Sequence, residues 1–288
     1  MARLQGLKRI LRRYPGLVFG SFIVLVFITV SLLAPFLTMR DPLLVDLSHR
    51  LLPPSWMEGG DKAYLLGTDM LGRDVFSLLI YGARVSFFIS LLILAITSTL
   101  GTTLGIISGY LGGLVDTIIM RLVDLTFSLP VILFALAVGA IFGPGILPLT
   151  IVLSFLLWSG YARMARGEVL RIKESDFVAY AEATGASQAR IMLKHLLPNI
   201  LTPIVVLVTL SMSRLIILLS TLSFLGVGIP PSTPDWGNMI SNGRAYLITA
   251  WWISIFPCLA IAVAVLSFNM LGDTLNEYLN PELRARMR

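Results

Sequence analysis

The sequence predicts an all-α membrane protein with six transmembrane helices. Composition, six long apolar runs and the placement of lysine and arginine each point there. The chain has 288 residues, of which 56% are hydrophobic and 13% charged, and its mean hydropathy is +0.86. Soluble domains carry about 25% charged residues. A chain this apolar cannot hide its hydrophobic surface in one water-soluble core, so lipid must cover part of it.

The apolar runs span residues 17–37, 85–108, 117–141, 146–162, 200–227 and 250–271. Each is long enough, or nearly so, to cross a hydrocarbon core about 30 Å thick. Arg3, Lys8, Arg9, Arg12 and Arg13 precede the first run. That resembles a signal peptide, but an apolar signal region has about 7–15 residues and this run is longer. It reads as an uncleaved first span. The third and fourth runs are divided by Phe142-Gly143-Pro144-Gly145, a turn by composition.

Charge sets the orientation. With the amino terminus inside, segments 1–16, 109–116, 163–199 and 272–288 are cytoplasmic and carry 14 lysines and arginines. The external segments 38–84, 142–145 and 228–249 carry 6. The excess of positive charge on the inside places both termini in the cytoplasm. It also accounts for the net charge of +6 without nucleic acid. The organisation that follows is a tail and first helix (1–45), an extracytoplasmic segment (46–84), a five-helix core (85–280) and a short cytoplasmic tail (281–288). The one cysteine, Cys258, excludes an internal disulfide.

Segment 163–199 reads as two short helices. Ser175 or Asp176 caps the first, and Gly185 closes it in the left-handed conformation. Phe177, Ala181 and Thr184 have helix-face spacing. Ser187 caps the second helix, which runs through Ile191 to Leu196, and Pro198 restricts the chain as it returns to the membrane. Such a pair offers a handle to a soluble partner or lies on lipid headgroups, and spacing alone does not separate these. In the second span Thr97, Gly101, Gly105 and Gly109 recur at intervals of four, a stripe that permits close helix contact.

The run Ala179-Tyr180-Ala181-Glu182-Ala183-Thr184-Gly185, followed by Leu197-Pro198, resembles the signature loop of binding-protein-dependent ABC importer permeases. That signature is Glu-Ala-Ala, three residues, Gly, nine residues, then Ile-x-Leu-Pro. Ala181, Gly185 and Leu197-Pro198 match it, while Ala179 stands where Glu is expected, Tyr180 replaces the first Ala and His195 replaces Ile. Further segments resemble the second, C-type permease of dipeptide, oligopeptide and nickel importers. They are Leu66-Gly67-Thr68-Asp69 with Leu71-Gly72-Arg73-Asp74, Ile80-Tyr81-Gly82-Ala83-Arg84, and Gly112-Gly113-Leu114-Val115-Asp116. Leu222-Ser223-Phe224-Leu225-Gly226, Pro234-x-Trp236-Gly237-Asn238-Met239 and Phe268-Asn269-x-Leu271-Gly272-Asp273 complete the set.

The resemblance implies the type I ABC importer permease fold, with coupling helices between the fourth and fifth spans. It implies a cell-membrane protein of a bacterium or archaeon that pairs with a homologous permease to form a pathway for dipeptides or oligopeptides. Two ATPase subunits would hold ATP and Mg, and an extracytoplasmic binding protein would deliver substrate. The coupling contact would use Ala179, Ala181, Glu182, Gly185, Ala186, Arg190, His195 and Pro198; with no Glu at position 179, the charged group that contacts the ATPase would be Glu182, Arg190 or Lys194. Nickel or a metal chelate is the alternative cargo.

The rest of the chain agrees. It has no phosphate-cradling loop of the Walker type, no His-Glu-x-x-His motif and no catalytic constellation, so no enzyme activity, bound cofactor or metal site is expected. His49 and His195 fall on opposite sides of the membrane. A secondary transporter, the competing class, is expected to carry intramembrane carboxylates, and only Asp124, near a helix start, approaches that. Asp69, Gly72, Arg73 and Asp74 either dock a binding protein or hold their loop together by ion pairs. Arg121 and Asp124, three apart, form a local pair. Arg214 sits midway along the fifth span with no acid near it in sequence, and is read as facing the pathway or the permease interface.

The topology is tested by Ser187→Cys in a Cys258→Ala background. A membrane-impermeant thiol reagent applied from outside is expected to leave that cysteine unlabelled; labelling from outside inverts the topology.

Overall fold

The computed structural model describes residues 15–38 and 40–279. The charged amino-terminal residues Arg3 to Arg13 and the tail 281–288 lie outside them. Ten α-helices make up the described chain. They are α1 (Pro15–Leu37), α2 (Val75–Leu111), α3 (Gly113–Ser128), α4 (Val131–Phe142), α5 (Ile146–Ile172), α6 (Asp176–Ala183), α7 (Gln188–Ile191), α8 (Leu197–Phe224), α9 (Trp236–Gly243) and α10 (Trp252–Leu279). A π-helical turn, Met192–Leu196, joins α7 to α8. Strand pairing among these residues is limited to one isolated bridge between Thr68 and Asp74.

Helices α1, α2, α5, the run from α7 through α8, and α10 are each long and apolar enough to cross a membrane. The third span differs from the expectation of one helix over 117–141. It is two helices, α3 and α4, bent by 80° at Leu129–Pro130. Proline has no amide hydrogen and its ring clashes with the preceding turn, so an α-helix does not run through it unaided. The apolar run is continuous there, which hides the break from hydropathy. Counting the bent pair once, the described residues hold six candidate crossings.

Two boundaries also move. α2 begins at Val75 rather than 85, because Asp74 caps it: its carboxylate accepts the Ser77 amide at 2.9 Å. With 37 residues α2 is about 55 Å long at 1.5 Å per residue, well beyond the hydrocarbon core. α5 likewise continues past 162 to Ile172.

The glycine stripe of α2 is a seam against α5. A Cβ on Gly101 would strike the Trp158 carbonyl oxygen, and one on Gly105 the Ala162 carbonyl oxygen. On Gly109 it would lie 2.9 Å from Val169 Cβ. Lipid tails are as apolar as leucine, so helices in a bilayer associate through close packing of this kind rather than by hydrophobic burial. The main core gathers residues such as Ile93, Leu153, Ile216, Leu219 and Leu222, all fully buried, from α2, α5 and α8. Phe27 of α1 sits among Phe87, Trp236 and Phe268, with ring centroids 5.8–5.9 Å apart.

Residues 40–74 form a small lobe at one end of the bundle. Asp69 organises it: its carboxylate accepts the Leu71 amide at 2.8 Å and the Arg73 amide at 2.9 Å, and pairs with the Arg73 guanidinium at 2.6 Å. Asp69, Arg73 and Asp74 are all buried. Gly72 has φ +73°, and a Cβ there would strike the Asp46 carbonyl. Trp252 Nε1 donates to the Thr68 carbonyl at 3.0 Å, tying α10 to the lobe. Arg50 donates to the Tyr246 hydroxyl, and Gly145 N–H donates to the Gly228 carbonyl. Segments 40–74, 143–145 and 225–251 therefore share one end of the bundle, as the alternating topology requires. At that end Asp235 caps α9, accepting the Asn238 amide at 3.1 Å. Burial pushes its carboxyl up to about 6.

A Gly105→Val substitution drives a branched side chain into the α5 backbone. Overpacking of this kind costs about 1–3 kcal/mol. The expected result is a lower melting temperature of the purified protein in detergent. Gly160→Ala, where a Cβ meets open space, is expected to leave it unchanged. Equal behaviour of the two variants overturns the seam.

Candidate functional site

Two regions carry the candidate residues: the 173–196 loop at the end of the bundle opposite the lobe, and a cavity at the level of the helix middles.

The loop begins where α5 ends. Ser175 precedes α6 as its N-cap residue, but its hydroxyl donates back to the Ile172 carbonyl instead of accepting an α6 amide. The far end of α6 is closed by two reciprocal bonds. Gly185 N–H donates to the Glu182 carbonyl and Ala186 N–H to the Ala181 carbonyl, both at 3.0 Å. This is the Schellman arrangement, and Gly185 takes the left-handed φ of +79° that it requires. Ser187 then caps α7, its Oγ accepting the Arg190 amide at 3.4 Å.

The second short helix is not separate from the fifth span. α7, the π-turn and α8 run on as one apolar helix from Gln188 to Phe224. Pro198 lies in the first turn of α8, directly after the π-turn, in which Leu197 N–H reaches the Met192 carbonyl. Wider i→i+5 spacing accommodates a residue that cannot donate. The proline shifts the register of the helix and does not end it.

The faces of α6 also differ from the expected pattern. Phe177, Tyr180 and Thr184 are exposed, while Val178 and Ala181 are buried. Ala181 belongs to a cluster with Ile106, Ala165, Val169, Ile191, Leu196 and Ile200. It is small because the chain's own α2, α5 and α8 lie against it, so its size leaves no surface for an outside protein. Ala186 packs on the same cluster, and His195 is half-buried with its carbonyl accepting from Asn199. Outward from the loop stand Ala179, Tyr180 (72% exposed), Leu193 (65%), Glu182, Arg190, Lys194 and Pro198. Glu182 accepts the Tyr110 hydroxyl at 3.0 Å, which fastens α6 to the end of α2.

Ion pairs brace the helices above the loop. Arg166 of α5 makes a bidentate pair with Asp116 of α3 at 2.6 Å, and Ser108 of α2 bonds the same carboxylate. Asp124 pairs with Arg163 of α5 at 2.8 Å, not with Arg121 as its spacing suggested. It turns toward the neighbouring helix, where the Arg163 guanidinium also covers the Phe127 ring at 4.3 Å. Both partners are more than half exposed, so the pair adds little stability.

The cavity has a volume of about 250 Å³. It lies between α2, the α3–α4 bend, α5 and α8, and Arg214, Ser211, Tyr161 and Gly160 line it. Sequence reasoning found Arg214 from its charge, but not Tyr161 or the bend, which carry no charge to mark them. His49 lies in the lobe, bonded to Asp46 at 2.7 Å, far in the chain from His195 at the loop. Among the described residues no group of three or more His, Cys, Asp and Glu is placed to hold a metal.

An all-helical bundle with a proline-broken span and an exposed short helix at one end defines a membrane permease of the type I ABC importer fold. A solved structure of the MetNI methionine ABC transporter shares that fold, with a TM-score of 0.57 over 70% of this chain and 96% of that one, at 17% identity. Residues 101–285 match the family described as the binding-protein-dependent transport system inner membrane component. The chain belongs to this family, and is a multi-pass inner-membrane permease subunit of an ABC importer. It is 39% identical over 269 residues to a dipeptide transport system permease of Haemophilus influenzae, covering 93% of this chain and 91% of that protein. It is 40% identical to the dipeptide permease DppC of Escherichia coli, covering 99% and 95%. A probable D,D-dipeptide permease of Escherichia coli is 34% identical, covering 97% of this chain and 93% of that protein.

Two substitutions check the faces of α6. Ala181→Trp forces a large ring into the cluster beneath the helix and is expected to lower the melting temperature in detergent by several degrees. Tyr180→Ala, on the outer face, is expected to leave it within error of the parent. The reverse order means that the helix is rotated from this assignment.

Proposed function

We propose that this chain pairs with a homologous permease to form the pathway of a peptide importer, with α6 and α7 docked on an ATPase subunit. The observation that carries the docking is the outward face of the loop. Phe177, Tyr180 and Leu193 present exposed apolar surface on a short helix pair whose own geometry is fixed by the Gly185 closure. Exposed aromatic side chains flanked by charge are the ordinary anchors of a protein interface. Peptide as cargo rests on the dipeptide permeases that the chain resembles along nearly its whole length.

In this reading the loop end and both termini are cytoplasmic, and the lobe faces outward. ATP and Mg belong to the partner ATPases, whose closure on ATP and opening after hydrolysis would move α6. Glu182 is engaged by Tyr110, so the unengaged charged contacts the loop offers an ATPase are Arg190 and Lys194, cations in place of the carboxylate expected at position 179. Both are exposed and free of ion pairs among the described residues. The lobe would receive the binding protein on its exposed surface, with Asp69, Gly72, Arg73 and Asp74 holding it in shape from inside.

The test is co-expression with a partner permease, the ATPases and the binding protein. The parent is expected to co-purify with ATPase and to hydrolyse ATP faster when the peptide-loaded binding protein is added. Tyr180→Ala is expected to lose ATPase co-purification while the permease pair stays intact. Retention of normal coupling by Tyr180→Ala, Leu193→Ala and Phe177→Ala together removes the docking assignment. Stimulation by nickel-loaded rather than peptide-loaded binding protein replaces the cargo.

A further inference from the structure

Arg214 lies just past the middle of α8, exposed, and makes no ion pair among the described residues. A guanidinium at mid-membrane costs about 2.5–3.5 kcal/mol on insertion scales, and such residues face water, protein or a ligand. Here it opens on the cavity between α2, the α3–α4 bend, α5 and α8.

A second observation comes from the opposite wall. Tyr161 of α5 is 3% exposed, and its hydroxyl is buried without a hydrogen-bond partner. Ser211 of α8 lines the same cavity. The third span contributes its break: Leu129 and Val131, on either side of Pro130, both line the cavity. Its second half, α4, thus begins at the cavity, and the amino end of a helix carries partial positive charge. A cation and a positive helix end converge on one space, with the Tyr161 side chain in its wall. The remaining wall is mostly leucine, from α2, α5 and α8.

We propose that this cavity is the subsite for the carboxylate terminus of a peptide in transit. Arg214 pairs with the carboxylate through its planar fork, the amino end of α4 faces the same charge, and the leucine wall takes the side chain of the last residue. A drug-sized ligand fills about 300–1,000 Å³; a space of about 250 Å³ holds one end of a peptide and leaves the rest toward the partner permease. The inference rests on the chain being a peptide-importer permease. It adds which end of the substrate this subunit holds, and by which atoms.

The test uses the assembled, detergent-purified complex carrying Gly160→Cys and Cys258→Ala. Gly160 lines the cavity and a Cβ there meets open space, so the cysteine reports on occupancy. An apolar dipeptide such as Ala-Leu is expected to slow its reaction with a small thiol reagent. The same dipeptide with its carboxyl amidated is expected to need at least tenfold higher concentration for equal protection. Arg214→Gln is expected to abolish the difference between acid and amide, and Arg214→Lys to keep part of it.

Equal protection by acid and amide in the parent overturns the proposal, and so does a preserved difference in Arg214→Gln. Loss of the partner permease from Arg214→Gln, with no acid preference in the parent, assigns Arg214 to the permease interface instead. Throughout, ATPase stimulation by the loaded binding protein reports separately on whether the complex is a peptide importer at all. An active complex without acid preference sinks only the subsite.

Discussion

At Gly101 and Gly105 the backbones of α2 and α5 come so close that no side chain fits between them. The two candidate regions hang from this contact. The loop half of α5 supplies Ala165 and Val169, the floor on which α6 lies. Its middle supplies Tyr161, whose Cβ would be 2.6 Å from a Cβ on Gly101, so the seam itself sets where the tyrosine ring enters the cavity. One helix, held against α2 by close backbone contact at Gly101 and Gly105, contributes to both regions.

Charge does a different task at the two ends. In the lobe, Asp69 and Arg73 are buried together and every lone pair the carboxylate offers has a nearby donor. Removing either partner leaves a buried charge unmatched, which is far costlier than the pair is stabilising. At the loop end the Asp116–Arg166 pair is only partly buried. It crosses from α3 to α5, takes a third bond from Ser108 of α2, and so fastens the starts and ends of three helices at one point. The lobe is consequently tied by a pair shut away from water, whereas the loop end is braced by contacts that water can still reach.

Much of this was legible in the sequence because lipid imposes strong rules. Runs of about 20 apolar residues and glycine at every fourth position each report one physical constraint. The left-handed Gly185 and the Ser187 cap follow from local backbone chemistry and appear where expected. Features that depend on direction were not legible. Hydropathy cannot see an 80° bend when both halves are apolar, although Pro130 marks its place. Three-residue spacing brings Asp124 near Arg121 but does not say that α5 offers a partner on its other side. Phe177, Ala181 and Thr184 looked like one face. The surrounding helices instead claim Val178 and Ala181, and turn Phe177, Tyr180 and Thr184 outward. Tyr161 gave no sign at all, because an aromatic residue in an apolar run is ordinarily core.

The broken third span bears on how the chain enters the bilayer. α4 has 12 residues, about 18 Å of helix at 1.5 Å per residue, against a hydrocarbon core of about 30 Å. It is too short to partition across lipid as an independent helix. α3 carries Asp116, Arg121 and Asp124 on 16 residues and is no better suited to cross alone. The two halves reach across the bilayer only as a pair, and each is tied to α5, α3 through the Asp116–Arg166 pair and α4 through the tight Gly143-Pro144-Gly145 turn.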